Sequence, residues 1–181
     1  MYKLEIVTWP SEILTTRAAE VTEFDKDLPI LAKRMHETME ESYGIGLAAN
    51  QVGLLKRIIV IHIPYQEGED AEDEPRRPWH DKKFTLVNPV IVEKKGRIKM
   101  TEGCLSFPEI YEYIDRAGEI TVKAKDEFGN NLLIEADGLF SVCLQHEIDH
   151  IDGIVFINRM SRLKAQLAKR KLQKAQLMNH A

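Results

Sequence analysis

The sequence predicts an α+β fold in one domain: mostly antiparallel strands packed around a central helix carrying H-E-x-x-H, with a further helix at the C-terminus. Three observations lead there. Strand-like and helical segments are grouped rather than alternating, which favours α+β over a parallel α/β sheet. Two strand-like segments, 119–124 and 132–134, flank the turn Asp126-Glu-Phe-Gly-Asn130, as a hairpin requires. And 181 residues, 44% of them hydrophobic and 30% charged, match one globular core rather than a disordered chain.

The elements follow in chain order. Leu28, Leu31, Met35 and Met39 recur at helical spacing. Asp27 is placed to cap that helix, Pro29 suits its first turn, and Gly44 closes it. Arg57–Ile61 and Phe84–Val87 are β-branched and apolar enough for strands. Between them, residues 66–80 hold six acids and two prolines and read as an exposed acidic loop. A second helix runs from Asp137, its N-cap, to Ile151, with Gly153 just beyond. A last helix covers 161–178, with Met160, Leu163, Leu167, Ala168 and Leu172 as its apolar stripe.

Charge and length exclude several classes. No apolar run approaches the roughly 18–20 residues that span a bilayer. Met1–Pro10 lacks an apolar core of signal-peptide length, which predicts a cytoplasmic protein. Two cysteines, Cys104 and Cys143, make no disulfide framework. Residues 159–181 carry seven Lys or Arg and no acid, whereas the rest of the chain is net −11. A basic appendage on an acidic body is expected, and a solvated helix face is its plainest meaning.

The chemistry concentrates at His146-Glu-Ile-Asp-His150. Histidines four apart on a helix project from one face about 5–6 Å apart and share one metal ion. Glu147 reaches a water at that metal as a base, and the shorter Asp149 is better suited to a supporting contact. A catalytic site needs a third protein ligand and an open position. The metalloprotease extension H-E-x-x-H-x-x-G-x-x-H fails, because Phe156 stands where its third His belongs, and no Glu follows Glu147. The third ligand therefore lies upstream. Cys143 is on the same stripe, but a metal between the histidines lies about 7 Å further along the axis, beyond a cysteine's reach. Cys104, in Thr-Glu-Gly-Cys-Leu-Ser-Phe-Pro, ranks a little above His36, His62 and His80, and spacing goes no further.

Three ordered segments now carry a resemblance. Gly44-Ile-Gly-Leu-Ala-Ala-Asn-Gln-Val-Gly53, Glu102-Gly-Cys-Leu-Ser106 and Gln145-His-Glu-Ile-Asp-His150 resemble the signature motifs of bacterial peptide deformylases, over about residues 4–165. The resemblance implies removal of the formyl group from N-terminal formylmethionine of nascent proteins. It implies Cys104, His146 and His150 as metal ligands, Glu147 as general acid/base for attack by metal-activated water, and Gln51 with the Leu105 N–H as oxyanion donors. Gly46, Leu139, Val142 and Cys143 would line the methionine pocket, with Ile45 beside it, and Glu102 would pair with Arg116. Fe²⁺ is the implied metal, with Zn²⁺, Ni²⁺ or Co²⁺ suited to the same donors. The partners implied are N-formylmethionyl nascent peptides and no membrane. The basic C-terminal helix adds the ribosome, whose RNA phosphates would attract it. The acidic 66–80 stretch departs from the shorter members of the family. An endoprotease and a protein with a closed, structural metal site are the rival readings.

Overall fold

The computed structural model describes residues 3–65 and 76–179. Among the described residues three helices, α1 (Asp27–Glu41), α2 (Gly138–Ile151) and α3 (Arg162–Asn179), accompany seven strands. These are β1 (Gly46–Ala48), β2 (Ile58–His62), β3 (Lys83–Lys95), β4 (Ile98–Cys104), β5 (Phe107–Arg116), β6 (Glu119–Lys125) and β7 (Asn131–Asp137). One sheet has the order β1-β2-β3-β6-β7 and the other is the hairpin β4-β5, all pairs antiparallel.

β2 explains the layering. Its run Ile58-Ile-Val-Ile61 is buried on both faces, as a continuous apolar strand must be. Ile59 and Ile61 meet Phe140, Leu144 and Ile148 of α2, while Ile58 and Val60 meet Met35 and Met39 of α1. α2 is thereby enclosed: every residue from Phe140 to Ile151 is buried. A third cluster joins Ile110 and Ile114 of β5 to Phe156 and Ile157 of a short 3-10 turn (Phe156–Arg159) and to Ala168 and Leu172 of α3.

Several expectations are corrected. α1 is capped by Asp25, whose Oδ1 accepts from the N–H groups of Asp27 (3.0 Å) and Leu28 (3.2 Å); Asp27 is itself helical. Its left-handed closing residue is Tyr43 (φ 58°), not Gly44. Gly44 is instead packed so tightly that a Cβ there would lie 2.8 Å from Leu105 Cδ1. Of the α3 stripe, Ala168 and Leu172 are buried but Leu163 and Leu167 are exposed. β3 runs on past Phe84–Val87 through Asn88-Pro89, where the register shifts and Asn88 takes φ 52°. The Asn88 side chain fixes this irregularity by bonding both the N–H and C=O of Val21. Of the acidic stretch, 66–75 lies outside the described residues. In its remainder Trp79 is buried rather than exposed, stacking on Phe140 and donating to Asp137 Oδ1 at 2.9 Å.

His36 of α1 is buried, with Nε2 3.2 Å from Thr85 Oγ1 and Nδ1 without a partner. Burial, reinforced by Lys83, pushes its pKa down to about 4. The unfolded chain takes up this proton near 6.5. Acid therefore favours unfolding as pH falls from about 6.5 to 4, with no further loss from this group below 4. Urea denaturation should show wild type losing about 1–2 kcal/mol more than His36→Gln between pH 7 and 5. Equal losses in the two proteins would refute this role.

Candidate active site

The site forms where β4 ends against α2. Cys104 is the last residue of β4, and the hairpin register shifts there, so its side chain leaves the strand pattern and turns to the helix. Cys104 Sγ lies 3.2 Å from His150 Nε2, which is 3.2 Å from His146 Nε2. One ligand atom from each of the three falls within 4.8 Å of the others, and they form the sole such cluster among the described residues. A thiol and two imidazole nitrogens converging on one point fit a divalent transition metal. His36, His62 and His80 are elsewhere: against Thr85, paired with Glu40 at 2.8 Å, and stacked on Trp79.

Glu102 ties this cluster to the surrounding fold. Its Oε2 is 2.8 Å from His146 Nδ1, which fixes the ring with Nε2 toward Cys104 and His150. Arg116 grips the same carboxylate as a fork, Nε to Oε1 at 2.7 Å and an Nη to Oε2 at 2.9 Å. Burial alone would raise the Glu102 pKa, but the bonds from Arg116 and His146 outweigh it and hold it at about 2. The Glu102–Arg116 pair expected from sequence is thus present, and its contact with His146 is one that sequence did not reveal. Asp149 meets not a histidine but two arginines, Arg116 and Arg159. Gln145 anchors the helix, exchanging hydrogen bonds with the Ala117 backbone at 3.1 and 2.9 Å.

Glu147 has a different environment. It is buried, and its Oε2 has no hydrogen-bond partner. Desolvation raises its pKa to about 7, with His146 opposing and Glu102 assisting. The glycine at position 46 makes room for it. A Cβ there would lie 2.5 Å from Glu147 Oε1 and 2.9 Å from Cys143 Sγ. Gln51, on the 3-10 turn Ala49–Val52, is held through its Oε1 by the Ala48 N–H at 2.8 Å. Its Nε2 therefore points to Ser106 Oγ (3.2 Å) and Cys104 Sγ (3.5 Å).

A cleft of about 430 Å³ opens over these groups. Ile45, Gly46, Leu139, Val142 and Cys143 line it together with Gln51, Leu105, Cys104, His146 and Glu147, while His150 is fully enclosed beneath. Cys143 is buried, and burial raises its thiol pKa, which keeps it a neutral wall residue. Thr101, Ile110 and Tyr111 of the hairpin also line the cleft and escaped the sequence reading. The hairpin's mixed polar pattern concealed them; only the spacing of the buried Ile110 and Ile114 hinted at a strand. A larger cavity, about 680 Å³, lies against Trp79, Phe84 and Phe140, and none of Cys104, His146, Glu147 and His150 lines it.

Known proteins share this arrangement of chain. A family model described as polypeptide deformylase matches residues 3–166. Peptide deformylase 1 of Shewanella oneidensis is 44% identical over 175 residues, 97% of this chain and 96% of that one. The crystal structure of peptide deformylase from Ehrlichia chaffeensis superposes with a TM-score of 0.90 at 38% identity, covering 99% of this chain and 100% of that one. A structure of the Ehrlichia chaffeensis peptide deformylase in complex with actinonin gives 0.86 at 39% identity, covering 97% and 98%. With sequence similarity and fold agreeing along nearly its whole length, the chain belongs to the polypeptide deformylase family.

Proposed function

We propose that this protein removes the formyl group from N-terminal formylmethionine of newly made proteins, releasing formate. The observation that carries the reading is Glu147: a buried carboxyl with its pKa raised by burial and its Oε2 unpartnered, beside three convergent side chains suited to a metal, in the wall of the cleft. Cys104, His146 and His150 would hold the ion, for which we assign Fe²⁺; Zn²⁺, Ni²⁺ and Co²⁺ suit the same donors. When bound, the ion supplies Lewis acidity to water and to the formyl carbonyl.

The protein's own groups divide the remaining work. Glu147 accepts the proton of the attacking water and delivers it to the methionine nitrogen as the C–N bond breaks. Burial raises the pKa of this carboxyl above the ordinary range, the direction a group that both takes and returns a proton requires. Gln51 Nε2, already oriented by Ala48, and the Leu105 N–H donate to the oxyanion; one fixed donor of this kind contributes on the order of 10²–10³ in rate. Gly46, Leu139, Val142 and Cys143 receive the methionine side chain, with Ile45 at the rim. Its substrates, nascent chains, place the enzyme in the cytoplasm. Among the described residues no helix is long and apolar enough to cross a membrane. The exposed cations of α3 offer the ribosome an attachment surface.

Anaerobically purified, metal-loaded protein should release formate from a formyl-methionyl tripeptide and leave the unformylated peptide intact. Glu147→Ala should retain its metal and lose roughly 10²–10⁴-fold in turnover. Absence of formate from protein holding one metal per chain would overturn the assignment. Cys104→Ser should lower metal content after dialysis, measured by atomic absorption, while Cys143→Ser should not; equal loss in both would exclude Cys104 as the distinguishing ligand. Deleting α3 would uncover the Ala168–Leu172 contact, so its ribosome role is better tested by charge reversal. Co-sedimentation with ribosomes should fall at least tenfold on Lys169→Glu/Arg170→Glu/Lys174→Glu and weaken with salt. Binding that responds to neither would remove α3 as the attachment surface.

A further inference from the structure

Beneath the cleft, charged groups of alternating sign run from His146 to solvent. Glu102 Oε2 lies 2.8 Å from His146 Nδ1 and is gripped by the Arg116 fork. The remaining Arg116 nitrogen donates to Asp149 Oδ2 at 2.5 Å. Asp149 takes a second fork from Arg159, whose Nε reaches Oδ2 at 3.0 Å and an Nη Oδ1 at 2.6 Å. The side chains of Glu102 and Arg116 are only 4% exposed, whereas Arg159 is 42% exposed. Arg159 ends the 3-10 turn Phe156–Arg159, just before α3. The first residue of that turn, Phe156, places its ring 5.9 Å from the His146 ring. One short turn thus reaches the same histidine twice, by ring contact and through the charges.

We propose that Arg159 is a positioning residue for His146, acting through Asp149, Arg116 and Glu102. With Arg159 the quartet of charges is balanced. Without it the remaining three are net −1, and the buried Asp149 keeps a single cationic partner. A buried carboxylate recruits whatever donor is in reach, because an unsatisfied charge there is costly. The donor in reach is Arg116, whose fork defines where Glu102 sits. A shift of Arg116 toward Asp149 loosens Glu102 and with it the orientation of the His146 ring. Direct supports of a metal ligand change affinity by about 10–100-fold when removed. Arg159 acts through three intervening side chains, so its loss should cost about three- to tenfold.

The inference rests on reading Cys104, His146 and His150 as metal ligands, and not on the substrate. Full-length protein loaded with Zn²⁺ is mixed with a chelator, and metal release is timed. Arg159→Ala should release zinc about three- to tenfold faster. Arg159→Lys, which keeps the charge but not the fork, should fall between it and wild type. In a Glu102→Gln background the Arg159→Ala effect should shrink below about twofold, since contacts acting through one chain are not additive. The Nδ1–H proton resonance of His146, read by NMR in the zinc form, should shift in Arg159→Ala. Unchanged release and an unchanged resonance would overturn the proposal, as would an equal acceleration with and without Glu102. A wild-type chain that binds no zinc would instead refute the ligand assignment itself.

Discussion

Burying a helix that carries His146, Glu147, Asp149 and His150 within five residues is the constraint on which the molecule turns. Charged groups out of water are destabilising unless they are paired and hydrogen-bonded. The fold meets this by bringing Arg116 from β5 between Glu102 and Asp149, one guanidinium serving two carboxylates. The arrangement dictates more than local pairing. It fixes the hairpin β4-β5 against α2, so Cys104 at the end of β4 arrives at the two histidines. It also leaves Glu147 as the carboxylate whose Oε2 is uncompensated, and that is the group the proposed chemistry uses.

Close approach is the second theme. β1 passes the helix at Gly46, where no side chain intervenes between backbone and Glu147. Gly44, one residue before Ile45, meets Leu105 in the same manner. The wall of the cleft is therefore partly bare backbone, and among the described residues β1 ends its sheet, with β2 on one edge and no strand on the other. An extended peptide can lie along such an edge with its own N–H and C=O groups satisfied.

Much of this was legible in the residues. The α2 motif announced itself because a metal site on a helix needs a fixed spacing, and that spacing survives in one dimension. The continuous apolar run of β2 did likewise. The hairpin β4-β5 was hidden because two of its inward positions serve the site: Glu102 and Arg116 put charge where an alternating strand would carry apolar side chains. β3 was cut short by Asn88-Pro89, which ordinarily end a strand and here only kink it. Spacing could not single out Cys104 as the third member of the cluster, because it reaches the histidines only through the pairing of separate elements. The link from Arg159 to Asp149 spans ten residues across a helix end, where periodicity says nothing.

The three side chains proposed as ligands come from just two places along the chain, and β5, β6 and β7 lie wholly between them. An ion held there would join the ends of a closed loop formed by residues 105–145. The conformational freedom lost on closing such a loop grows slowly with its length, about 0.6 kcal/mol per doubling. Insertions at the tip of the β6-β7 hairpin, around Gly129, would therefore barely disturb the closure. An added residue between Cys104 and Phe107, by contrast, would move the thiol relative to both histidines. The topology thereby divides the chain into stretches free to vary in length and one short stretch that is not.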